Sequence, residues 1–160
     1  MPSKLILDCS KTLKNRGLTI AFAESATAGR LASEFSLCPD SGGTLKGGLV
    51  CYDAQVKECV LGIDPDLIQQ FTPESEEVTR ELAFRLRDLI SSDIQVAVTG
   101  LTTPGGSETP QKPVGTIFIH MLIKDRSIAI RKVFEGSPEQ IVLLAADLAA
   151  KTIIGELETI

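Results

Sequence analysis

Three polar residues are candidates for joint chemistry: Ser25, Tyr52 and Lys57. Ser25 follows an apolar run in TIAFAESATAGR (19–30), where small residues take over. A serine hydroxyl attacks an acyl carbon efficiently only when a base takes its proton. The usual base is a poor fit here, because the one histidine, His120, lies inside an apolar run. A lysine serves instead when burial or a nearby cation lowers its pKa. Lys57 stands about one helical turn beyond Tyr52, and a tyrosine hydroxyl can donate a hydrogen bond or relay a proton. The chemistry indicated is acyl transfer or amide hydrolysis. Each residue also has a plain structural role: Ser25 as a helix cap, Lys57 as a solvated charge, Tyr52 as packing. The residues alone do not choose.

The elements that must position them follow from periodicity and punctuation. Three strands end in small or polar clusters: AFAESATAG, LVCYDAQVK and VAVTGLTTPGG. In open α/β sheets, ligands gather at the carboxyl ends of strands. If the three run parallel, Glu24–Ser25, Tyr52–Lys57 and Thr99–Gly106 meet in one cleft. A helix over 26–36, with Ala28, Leu31, Ala32 and Phe35 inward, would then present free N–H groups to an oxyanion just after Ser25.

Elsewhere, residues 3–15 have an amphipathic helical spacing that ends at Gly17. Strands are predicted at 18–23, 44–52 and 94–100, and short helices at 53–62 and 63–71. Thr72-Pro73 reads as the start of a long helix, with Glu74, Glu76 and Glu77 at its positive end. Residues 101–113 form a long Pro/Gly loop, which is not a phosphate-binding P-loop because no GK[ST] follows its glycines. Strands at 114–124 and 127–135 are joined by a turn at Asp125-Arg126, and a capping box at Ser137–Gln140 opens the last helix. The alternation implies a single three-layer α/β/α domain with a mixed sheet, over residues 1–160.

Bulk composition narrows the class. With 160 residues, 43% of them apolar, the chain supports one real core. A net charge of −5 argues against a nucleic-acid binder that works through a broad basic surface. No apolar run reaches the roughly 18 residues that span a membrane, and the N-terminus lacks a signal-peptide pattern, so a cytoplasmic location is the expectation. Cys9, Cys38, Cys51 and Cys59 have no CxxC spacing, so free, mostly buried thiols are expected rather than a metal site or disulfides.

The segments TIAFAESATAGRLAS, GGLVCYDAQVKECVLGI and AVTGLTTPGGSETPQKPVGTIFI, in that order, make the chain resemble the CinA C-terminal-domain family, the nicotinamide-nucleotide amidohydrolases. The resemblance covers nearly the whole chain. It implies hydrolysis of the carboxamide of nicotinamide mononucleotide to nicotinic acid mononucleotide and ammonia. It implies no metal or other cofactor, a compact α/β/α fold, a small-molecule nucleotide as partner, and self-association into a homo-oligomer. The family's serine, tyrosine and lysine fall on Ser25, Tyr52 and Lys57. Glu24, Thr27, Gly29, Thr99, Gly100, Gly105 and Gly106 would line the substrate pocket, with Glu24 orienting the cluster or meeting a ribose hydroxyl. Three departures stand against this. Thr27-Ala28-Gly29 replaces a usual TGG, TGLTTPGG replaces TGIAGPGG, and Gly136–Val142 lacks the arginines that often open the last helix. A nucleotide- or partner-binding protein without catalysis, and an amidase for another small amide, are the alternatives these departures raise.

Overall fold

A computed structural model describes residues 1–160. The elements run α1 (Lys4–Arg16), β1 (Ile20–Glu24), α2 (Arg30–Ser36), a 3₁₀ turn (Ser41–Gly43), β2 (Leu45–Val50), α3 (Ala54–Leu61), α4 (Pro65–Phe71), α5 (Glu76–Leu89), β3 (Ile94–Gly100), β4 (Thr116–Ile123), β5 (Arg126–Val133) and α6 (Pro138–Glu158). The five strands form one sheet in the order β2-β1-β3-β4-β5. β1 is parallel to both β2 and β3, while β4 and β5 are antiparallel to their neighbours. The sheet is therefore mixed, as expected.

Helices cover both faces, and the period-two alternation of strand side chains sorts the cores. Ile20 and Phe22 of β1 pack with α1, α2 and α6; the rings of Phe22 and Phe35 lie 5.1 Å apart. Ala21 and Ala23 face the other way, onto α3, α4 and α5. Every residue of β1 is buried, which suits a central strand covered on both sides. α1 ends where Gly17 turns left-handed, and α6 opens on the expected capping box of Ser137 and Gln140.

Several details differ from the sequence expectation. The helix expected over 26–36 begins only at Arg30, because Ala28 (φ 45°) and Gly29 (φ 93°) are both left-handed; Ala28 is exposed, not inward. The long helix does not start at Thr72-Pro73. Thr72 adopts φ 71°, and Ser75 caps α5 through Val78 N. Leu89, expected in the buried stripe of that helix, is 53% exposed. The hairpin turns at Lys124-Asp125, one residue earlier than expected. Gly115 (φ 97°) closes the turn into β4, where a Cβ would overlap the carbonyl oxygen of Phe134. Cys9, Cys38 and Cys51 are buried and Cys59 is exposed, all as free thiols.

Candidate active site

The carboxyl end of β1 lies between those of β2 and β3. The helix after β1 covers one face of the sheet, whereas the helices after β2 cover the other. Such a switch point leaves a crevice at the strand ends. Ser25 is the first residue in it. Its N–H donates to Val98 O (2.9 Å), and Cys51 N–H donates to Glu24 O (2.9 Å), so the sheet ladder holds both sides of the serine.

Asp53 caps α3 through Gln55 N, and this cap aims Lys57 back toward β1. Lys57 is 1% exposed, so it is no solvated surface charge. Its Nζ lies 2.9 Å from Ser25 Oγ, 2.7 Å from Cys51 O and 3.3 Å from Tyr52 O. Burial lowers its pKa, against smaller opposing contributions from Cys51, Glu74 and Asp53. As a neutral amine, Lys57 would donate two N–H bonds to the carbonyls and turn its lone pair to the Ser25 hydroxyl. Tyr52 behaves differently. Its carbonyl reaches Lys57, but its ring is 65% exposed and its hydroxyl bonds neither Ser25 nor Lys57.

Ser25 is not a helix cap: α2 begins five residues later, and Gly29 occupies the cap position without a side-chain bond. The span between is a pair of turns, Ala28 N to Ser25 O (3.1 Å) and Arg30 N to Thr27 O (2.8 Å). The helix-end N–H groups expected beside Ser25 are therefore not there. In their place, the Ala26 and Thr27 N–H groups donate to no acceptor in the protein, and Ala26 lines the cleft.

Glu24, expected among substrate contacts, is instead the anchor of α2. Its Oε1 accepts from Thr27 Oγ1 (2.6 Å) and Leu31 N (2.8 Å), and its Oε2 accepts from Ala32 N (3.0 Å). At 1% exposure, this carboxylate sits at the positive end of the helix and accepts three hydrogen bonds there. The side chains of Thr27 and Thr99 are buried in the same way, Thr99 against Thr79 Oγ1 at 2.8 Å. Neither lines the cleft beside Ser25.

The cleft itself encloses about 190 Å³ and joins Ser25 and Tyr52 to Gly100, Gly105 and Gly106. It is smaller than the roughly 300–1,000 Å³ typical of pockets that enclose a drug-sized ligand. Gly29 opens instead onto a wider depression of about 520 Å³ between α2 and α6, which holds none of Ser25, Tyr52 and Lys57. The smaller cleft is the one that Ser25 and Tyr52 line. A carbon on Gly100 would stand 2.6 Å from Thr116 O, so this corner of the wall accepts no side chain.

Sequence reasoning missed two participants. Glu74, freed from α5 by the later start of that helix, lines the cleft. Lys112 holds the loop over it, donating to Thr72 Oγ1 (2.6 Å), Glu74 O (2.8 Å) and Ser107 Oγ (2.9 Å); burial lowers its pKa. Only the KPVGT segment hinted at Lys112.

A family model described as the CinA C-terminal domain matches residues 3–157. The chain belongs to the CinA C-terminal domain family. A CinA-like protein of Petrotoga mobilis is 38% identical over 124 residues, covering 77% of this chain and 30% of that protein. Another from Chlorobaculum tepidum is 41% identical over 119 residues, covering 74% and 28%. The chain thus spans about a third of the length of these relatives. A crystal structure of a competence-damaged protein (CinA) superfamily protein from Klebsiella pneumoniae superposes with a TM-score of 0.92 at 25% identity, covering 98% of both chains. One from Escherichia coli gives 0.87 at 27% identity, covering 94% and 87%.

In this CinA frame, Arg30, Arg126 and Arg131 are the arginines to test as replacements for those absent after Gly136. Arg30 pairs with Glu34 and lies near Glu139, and Arg126 binds Glu156 and Thr159. Arg131 binds Gln111 O and lies over Phe118. None lines the cleft. The loop glycines are also engaged, since the Gly105 and Gly106 N–H groups each donate to the Glu108 carboxylate at 2.8 Å. Those bonds, the one from Gly105 foremost, lower the Glu108 pKa.

Proposed function

We propose that this CinA-family chain is a metal-independent amidohydrolase that releases ammonia from the carboxamide of nicotinamide mononucleotide. The supporting observation is the 2.9 Å contact between Ser25 Oγ and the buried Lys57 amine. Lys57 takes the Ser25 proton while Oγ bonds to the amide carbon. The N–H groups of Ala26 and Thr27 receive the oxyanion. Collapse breaks the C–N bond, and the proton held by Lys57 leaves with the nitrogen as ammonia. Water, deprotonated by Lys57, then cleaves the serine ester to the acid and restores Ser25. The Tyr52 hydroxyl, without a protein partner, is free to donate to the substrate amide.

The lack of an arginine in the cleft favours a second reading, in which the substrate is another small amide or the nucleotide is bound without turnover. The family resemblance also supports self-association, which sedimentation equilibrium would read directly.

The deciding experiment measures ammonia release from nicotinamide mononucleotide by the wild type and by Ser25→Ala. Turnover by the wild type and its loss of at least about 10³-fold in the variant, with an unchanged circular dichroism spectrum, are expected. Equal release by both proteins would remove Ser25 from the mechanism. No release by either, with a nucleotide-dependent rise in Tm, would favour binding without catalysis.

A further inference from the structure

The cleft is unusual in its charge. Among the side chains that line it, Glu74 is the one charged group. Lys57, buried behind Ser25, and Lys112, which bonds the Glu74 carbonyl and Ser107, both lie within electrostatic range of the Glu74 carboxylate, yet neither lines the cleft. Ser107 donates to Glu74 Oε2 at 2.5 Å, while Glu74 Oε1 has no partner in the protein. The exposed Tyr52 ring, whose π face attracts cations, lines the same cleft. The loop amides that suit an anion are already filled by Glu108. An anionic group entering here meets a like charge, whereas a cation meets a carboxylate oxygen and an aromatic face.

We infer that Glu74 sets specificity: together with the Tyr52 ring, its carboxylate supplies the counter-charge for a positively charged aromatic ring that carries the scissile amide. This inference rests on the amidase reading for its choice of substrate, but its charge preference is measurable without turnover. Glu74 touches the ring, not the reacting carbon, so its contribution falls on binding. It also explains why a cleft serving a phosphorylated ligand holds no basic side chain: the cleft receives the ring.

Glu74→Gln is the suitable variant, because a glutamine oxygen still accepts from Ser107 and only the charge is lost. The probes are nicotinamide mononucleotide, whose ring is cationic, and its dihydro form, whose ring is neutral. The dihydro amide is intrinsically less reactive, so each substrate is compared only with itself across the two proteins. For the cationic ring, kcat/KM falls about tenfold in the variant, through KM, as loss of one short-range charge pair predicts. For the neutral ring, it changes less than about twofold, within the noise of an uncharged substitution. Equal losses for both would mean that Glu74 acts only through Ser107 and the loop, and would overturn the inference; so would no loss for either. If the wild type releases no ammonia, the amidase reading fails, and calorimetric binding of the same two nucleotides decides. Weaker binding of the cationic form alone in Glu74→Gln upholds the charge preference. Equal weakening, or binding of neither, overturns it.

Discussion

Lys57 faces three oxygens, two of them main-chain carbonyls, and its charge state follows from the burial of that position. Its pKa is lowered by burial, so activity should rise with pH and level off below the ordinary lysine range. Lys57→Arg should be inactive at every pH, since a guanidinium does not deprotonate in this range. The same shift affects stability. Between the folded and unfolded pKa values the unfolded chain binds more protons, so stability rises with pH across that window and is flat on either side. Urea melts of the wild type and Lys57→Met over that window should diverge; a pH-independent difference between them would contradict the shift. The contact between Ser25 and Lys57 was expected from the family resemblance, whereas the residues alone made a lysine an available base without choosing it. Glu24 and Thr99 were misplaced for one shared reason. A polar residue at a strand end reads the same whether it points into the cleft or back into the protein, and here a helix end and a threonine claim them.

Among the elements, α2 depends most on one distant side chain. It has no capping side chain of its own and takes its anchor from Glu24, seven and eight residues upstream of the donors. Glu24→Ala leaves two helix N–H groups and the Thr27 hydroxyl without that acceptor, at a cost of about 2–4 kcal/mol. Urea denaturation should show that loss, and kcat/KM should fall without vanishing; a change below about 0.5 kcal/mol, the scale of a neutral surface substitution, would refute the anchoring role. β3 was read to the residue, and α1 to within one. Both carry an unbroken periodicity between clear stops. The starts of α2 and α5 were not, since left-handed Ala28 and Thr72 are conformations that these residue types rarely adopt. That second miss had a consequence, as it assigned Glu74 to a helix dipole rather than to the cleft.

At the scale of the whole molecule, the site is assembled from both parallel crossovers and closed by a loop from the antiparallel half. Lys112 is the tie between them, joining the 101–113 loop to the α4–α5 connection at Thr72 and Glu74. Lys112→Met should leave the two cores intact and release that tie. Limited proteolysis within 101–113 should then speed up several-fold, and kcat/KM for the amide should drop, while the urea midpoint moves little. Unchanged cleavage would mean that the loop is held by other contacts. The layer architecture was legible from the order of helices and strands. The tie was not, because its partners lie about forty residues apart and no periodicity links them.

The ladder does not stop where β1 stops. It runs one rung further, through Ser25 N–H to Val98 O, on a strand that no solvent reaches. The backbone of Ser25, the proposed nucleophile, therefore belongs to the central sheet, which opens late. Loops around it can breathe, fray or be cut, and the serine will still be presented at the same place. Only the melting of the sheet removes it, so the Ser25 position and the native state share one lifetime.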